Sequence, residues 1–190
     1  MQGMTSTEGT PDRIRRVALQ LFTEQGFDAT PVAAVAAAAG VSHMTFFRHF
    51  PTKESVVVAD VFDPAIAAAV AAQPRSWTPL ARAVRGLVAA MDSPEAVAEF
   101  ASVEFRQRVV LAASTPSLRA ALWASGRETE DAVARALIEG GASAGDARAA
   151  AGALMGAATA VLLSWASGPS DADPAALLKT GLLGLIGERA

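Results

Sequence analysis

The sequence predicts an all-α fold, and three observations carry that expectation. Six prolines directly follow a short oxygen-bearing residue at an expected helix start: Thr10-Pro11, Thr30-Pro31, Thr78-Pro79, Ser93-Pro94, Thr115-Pro116 and Asp173-Pro174. Such a side chain accepts from the orphan N–H groups of a helix start, and proline at the next position gives up only an N–H that would be unpaired anyway. Each pair opens an Ala- and Leu-rich stretch, and no segment alternates apolar and polar residues with period two for long. With 190 residues, 52% of them hydrophobic and 18% charged, the chain is globular in composition and long enough for a small domain fused to a larger one.

Residues 1–10 read as a tail without a signal-peptide pattern. The first helix is expected from Pro11 to Gln25, where Ile14, Val17, Ala18, Leu21 and Phe22 form one apolar face. Gly26 ends it as a left-handed cap and Phe27 folds back on its last turn. Two short helices follow, Pro31–Ala39 and Ser42–Phe50. A longer one is expected from Lys53 toward Ala72, with Pro64 as a hinge or a static kink. After a connector at 73–78, helices are expected at 79–91, 94–113, 116–140, 145–167 and 174–188, with loops at 140–145 and around Gly168-Pro169-Ser170.

The informative block is Thr30 to Lys53, TPVAAVAAAAGVSHMTFFRHFPTK. Its two short helices meet at Gly40-Val41-Ser42, where Gly40 can take the left-handed conformation of a tight turn and Val41 can plug the corner. Ala36 is small enough for close packing. In the second short helix Phe46 and Phe50 lie four apart and face inward. Ser42, Thr45 and His49 lie on another face, flanked by His43, Met44 and Arg48. That is the organisation of a helix-turn-helix, whose second helix enters the major groove. Hydroxyls, imidazoles and a guanidinium suit base edges and phosphates, and Arg48 could serve a guanine or a phosphate.

The order of an amphipathic first helix, GF-x-A-T, an Ala-rich helix, AGVS, TFFRHF and a lysine resembles the TetR family of transcriptional regulators over residues 11 to about 60. The resemblance implies a helix-turn-helix DNA-binding domain at 11–52 and a helical ligand-binding and dimerisation domain at 53–190. It implies a cytoplasmic one-component regulator, a repressor, that binds palindromic double-stranded operator DNA as a homodimer. Carried over residue by residue, it places Thr30 on a phosphate, His43, Met44, Thr45 and Arg48 near bases, and His49 and Lys53 on the DNA backbone. Family members often carry tyrosine where this chain has Phe47, so Phe47 is left to packing or to a thymine methyl. The net charge of −3 does not advertise a nucleic-acid binder, so binding must rest on a few placed cations and weaken with salt.

The uncharged stretch between Arg148 and Asp171 satisfies the length rule for a membrane span, but its small residues supply little transfer energy, and a buried soluble helix is the better reading. Ala151, Gly152, Leu154, Met155, Ala158, Val161, Leu162 and Trp165, with Leu178, Leu182, Leu185 and Ile186 of the last helix, are expected to pair with their copies across a twofold axis. In the TetR family the last two helices have that role, and the recognition helices then stand about 34–36 Å apart. Phe62, Ile66, Leu87, Met91, Phe100, Val103, Val110 and Trp123 are expected around a small-molecule effector. Arg106 and Arg108 are the candidate anchors for an anionic head.

The segment RVVLAASTPSLRA followed by a Trp-bearing terminal helix pair resembles actinobacterial regulators of the mycofactocin type. That resemblance implies an acyl or acyl-CoA-like effector. No catalytic, metal or cofactor site is expected: there is no cysteine or tyrosine, no phosphate-binding glycine loop, and His43 and His49 stand roughly 240° apart round a helix. A helical adaptor that binds protein and not DNA is the alternative.

Overall fold

The computed structural model describes residues 9–58, 64–168 and 172–188, and all regular structure among them is helical. The first helix, α1, spans Thr10–Gln25, with Gly9 rather than Thr10 at the cap position. Ile14, Ala18, Leu19 and Phe22 are buried, and Val17 and Leu21 flank them. Gly26 N–H donates to Phe22 O, but its ψ of 145° is extended and not the left-handed helical value expected of it. The Phe27 ring meets Phe22 edge-on at 4.9 Å between centroids, so the fold-back is present.

Helices α2 (Val32–Ala38) and α3 (His43–His49) are each seven residues long. Then α4 covers only Ser55–Val58. It starts two residues after Lys53 because Thr52 and Ser55 cap each other: Ser55 N–H donates to Thr52 Oγ1 at 3.1 Å, and Thr52 N–H to Ser55 Oγ at 3.3 Å. Helix α5 begins at Pro64 and ends at Ala71. Whether one helix runs across residues 59–63, with Pro64 as its kink, lies outside the described residues, as do residues 1–8, Phe62 and Pro169–Ser170.

The body continues with α6 (Pro79–Ala90), α7 (Pro94–Ala101), α8 (Val103–Ser114), α9 (Pro116–Ser125), α10 (Arg127–Glu139), α11 (Ala144–Ala166) and α12 (Pro174–Gly184). Thr78, Ser93 and Asp173 cap as expected, each side chain accepting from a backbone N–H in the first turn. Thr115 sits at its cap position without that bond. Two expected helices are each broken in two. Residues 94–113 divide at Ser102, whose extended backbone (ψ 146°) ends α7 while its hydroxyl accepts from Phe105 N–H to start α8. Residues 116–140 divide at Gly126, between α9 and α10.

There are two apolar cores. The first gathers α1 to α4, including the consecutive Val56, Val57 and Val58, and takes in Ala112 of α8 and Leu118 of α9. A domain boundary at residue 52 therefore cuts a core that continues past it. The second gathers Val70, Val84, Leu137, Leu154 and Leu182 from α5, α6, α10, α11 and α12.

The closest approach in the second core is at Gly86 of α6. A Cβ there would lie 2.6 Å from Val70 Cα and 2.8 Å from Val70 N, so α5 and α6 cross backbone on backbone. We expect Gly86→Ala to force the two helices apart and lower stability by about 1–3 kcal/mol, whereas Gly145→Ala, which meets only a serine hydroxyl at 3.9 Å, costs little. Denaturant midpoints of the two variants check this.

Candidate nucleic-acid interface and effector cavity

The corner between α2 and α3 is built as its sequence requires. Gly40 has φ 65°, a value that a side chain would strain, and Val41 N–H reaches back to Ala36 O at 2.9 Å. Ala36 and Ala39 are buried under the turn and Val41 packs against the same core. Arg13 Nε donates to Ala39 O at 3.1 Å, which ties α1 to the end of α2. Ser42 caps α3 by accepting from Thr45 N–H at 3.0 Å, and the two hydroxyls lie 2.9 Å apart. Phe46 and Phe50 point into the core with ring centroids 5.9 Å apart.

That inward anchor turns the opposite face of α3 to solvent. Met44 is 80% exposed, and His43 and Arg48 stand beside it. Phe47 is half-exposed and packs edge-on against both His43 (4.8 Å) and Phe46 (5.3 Å). Thr45 and His49 are half-buried at the margin.

Two of the residues expected on the DNA backbone are placed elsewhere. Thr30 is fully buried, and its hydroxyl donates to Gly26 O at 2.8 Å; the cap position of α2 is Pro31. Lys53 Nζ donates to Phe27 O at 2.7 Å and to Thr30 O at 3.2 Å and lies 4.2 Å from the Phe27 ring centre. Both residues hold the loop between α1 and α2 against the start of α4, because free carbonyls there need donors that the short loop does not supply.

Behind the head lies an inner cavity of about 270 Å³. Ile66, Leu87, Phe100 and Trp123 line it, as expected. Val57 and Val58 of α4 form the wall nearest the head, and Gly152, Met155, Gly156 and Thr159 of α11 form another. Met91, Val103 and Arg106 instead line an outer cleft of about 540 Å³, with Phe100 common to both. Val110 lines neither and is exposed. Arg106 lies over the Trp165 ring at 4.6 Å. Arg108 does reach the inner cavity. It is ion-paired with Glu99 at 2.7 Å, and its Nε donates to Val57 O at 2.9 Å.

The residues expected at a dimer interface are mostly committed within the chain. Ala151, Leu154, Ala158, Trp165, Leu178 and Leu182 are buried in it, and Val161 and Ile186 pack against the second core. Gly152, Met155 and Leu162 line the inner cavity. Leu185 is the exposed member of that set. The outward stripe of α11 is Ala149, Ala153, Ala160 and Ser164, and α12 adds Leu177, Thr180 and Leu185. Sequence reasoning could not choose among the faces of α11, because that helix is apolar all round. It missed Glu99, Phe105, Thr129 and Glu130 on the cavity wall, since the breaks at Ser102 and Gly126 that aim them inward were not read.

Comparison with known proteins decides what these parts belong to. Residues 14–59 match the family model described as bacterial regulatory proteins, tetR family, and residues 78–188 match the one described as the MftR C-terminal domain. The chain belongs to the TetR family. Its sequence is 41% identical over 73 residues to the HTH-type transcriptional regulator TcmR of Streptomyces glaucescens, a match that spans 37% of this chain and 32% of that regulator. Its fold is similar to NalD, the secondary repressor of the MexAB-OprM multidrug efflux pump in Pseudomonas aeruginosa, with TM-score 0.57, 20% identity and coverage of 94% of this chain and 93% of that one. SmeT, repressor of the Stenotrophomonas maltophilia pump SmeDEF, is similar with TM-score 0.54, 20% identity and coverage of 94% and 91%.

The head's stability is expected to separate cleanly from its outward face. Phe46→Ala should cost about 3–5 kcal/mol, as deletion of a fully buried aromatic does, and Ser42→Ala about 1 kcal/mol through loss of the cap. Met44→Ala should leave the thermal midpoint within about a degree, being a surface change. Calorimetric melting of the three variants tests the assignment of faces.

Proposed function

We propose that this member of a family of transcriptional regulators is a homodimeric repressor whose grip on operator DNA is released by a small apolar effector in the inner cavity. The observation that carries the reading is the double role of α4. Val57 and Val58 belong to the core of the DNA-reading head and at the same time line the cavity, and Arg108 ties the Val57 carbonyl to the cavity wall. An occupant that fills the cavity pushes on the element that carries the head. It shifts the equilibrium toward the released state by as much as it binds that state more tightly.

In this reading α3 enters the major groove, with His43, Met44 and Arg48 toward the bases and Ser42, Thr45, Phe47 and His49 at the margins. The exposed stripe Ala149, Ala153 and Ala160 with Leu177 and Leu185 forms the twofold contact with a second copy, as small residues allow helices to approach closely. The mostly apolar lining accepts the hydrocarbon part of the effector. The body serves regulation, not catalysis, and works in the cytoplasm, where the operator is. A protein-binding adaptor would have no use for an exposed polar face on α3.

The experiment is fluorescence anisotropy of the protein against DNA from its own promoter region and against a scrambled duplex at about 0.15 M salt. Dimer-stoichiometric binding to the native fragment alone is expected, steeply weakened by added salt. Arg48→Ala should weaken that binding by about tenfold or more while leaving the fold intact. Absence of DNA binding by an intact dimer at low salt would overturn the proposal and leave the adaptor reading.

A further inference from the structure

Among its described residues the inner cavity carries a carboxylate that no neighbouring side chain neutralises. Among its described lining residues the charged side chains are Glu99, Arg108 and Glu130. Glu99 and Arg108 neutralise each other as an ion pair at 2.7 Å, and Arg108 is additionally occupied at the Val57 carbonyl. Glu130, in the first turn of α10, uses its backbone N–H on Gly126 O at 2.9 Å, but its carboxylate takes part in no hydrogen bond or ion pair among the described residues, although Arg127, Glu128 and Arg148 are all exposed nearby in sequence or on the facing helix. Its carboxylate is directed across the cavity at α11: Oε1 lies 3.7 Å from where a Cβ would stand on Gly152. Gly152 and Gly156, one turn apart, leave the space in front of it open, and at Gly156 a Cβ would meet nothing within 4 Å.

An occupant of this cavity meets mostly apolar walls and one carboxylate without a partner. An anionic head group would have to displace Glu99 from Arg108 and would sit in the field of Glu130. A neutral one would leave Glu130 desolvated and unpaired, which costs free energy in a site of lowered dielectric. A protonated amine on an apolar body removes both penalties by forming a charge-assisted hydrogen bond. We propose that the inner cavity selects a lipophilic cation, an amine-bearing apolar molecule, with Glu130 as its counter-ion. This rests on the reading that the inner cavity is the effector site, and it names the chemical class that the site prefers over the acyl type.

The test uses three probes of equal length, octylammonium, octanol and octanoate, titrated calorimetrically into the whole dimer at neutral pH. Octylammonium is expected to bind at least about tenfold more tightly than either of the others, the size of one hydrogen bond to a charged group. Glu130→Gln should abolish that preference while leaving octanol binding unchanged, and Glu128→Gln, on the exposed side of the same turn, should preserve it. Gly156→Leu, which grows a side chain into the open space, should remove binding of all three without harming the helix.

Octanoate binding as tightly as octylammonium, or a preference that survives Glu130→Gln, would overturn the cation assignment while leaving the cavity as the effector site. Binding of every probe unaffected by Gly156→Leu would overturn the cavity itself as the site. A failure of the anisotropy experiment on operator DNA would fall on the regulator reading and not on the ligand class.

Discussion

The structure depends on a four-residue helix whose side chains are buried in succession. Val56, Val57 and Val58 of α4 all lie inside, which is possible only because α1, α8 and α9 close round it from different sides. Branched residues are poor helix formers, so this turn is held by what surrounds it and not by its own propensity. The consequence is mechanical. The DNA-reading head is joined to the body by a shared apolar core, with Ala112 and Leu118 of the body completing it, and not by a free linker. Any change in the packing around α4 is transmitted to the head because a close-packed interior resists local deformation.

The second constraint is that α11 serves three neighbours at once. One face, with Ala147, Ala151 and Leu154, packs into the second core. A second, with Gly152, Met155, Gly156 and Thr159, opens the cavity. The third, with Ala149, Ala153 and Ala160, faces outward. This explains why the helix is long and apolar enough to cross a membrane by composition, while only 22% of its most apolar window is buried within the chain. Alanine and glycine are the residues that can satisfy a core, a void and an open flank without overfilling any of them.

Polar residues enter the cavity through breaks in helices. Ser102 turns the chain so that Glu99 of α7 and Arg108 of α8 meet across the bend, nine residues apart. Gly126 restarts α10 so that Thr129 and Glu130 fall in its first turn, facing α11. Had residues 94–113 and 116–140 each been one straight helix, these groups would have followed the surface. The cavity's chemistry is therefore a product of interruption.

What the sequence by itself determined is local. Capping residues with proline marked helix starts at 79, 94 and 174, the Gly40 turn and the Phe46–Phe50 spacing oriented α3, and the motif from α1 to Lys53 identified the family. These features are legible because they rest on neighbours within a turn or two of the chain. Only the tertiary structure decided that Thr30 and Lys53 turn inward to satisfy loop carbonyls, that Val110 faces out, and that Gly152 and Met155 line a cavity. Each of those outcomes depends on which distant segment supplies the missing donor, acceptor or apolar surface. In a chain so rich in alanine, helical periodicity leaves several faces equally eligible, and long-range packing chooses among them.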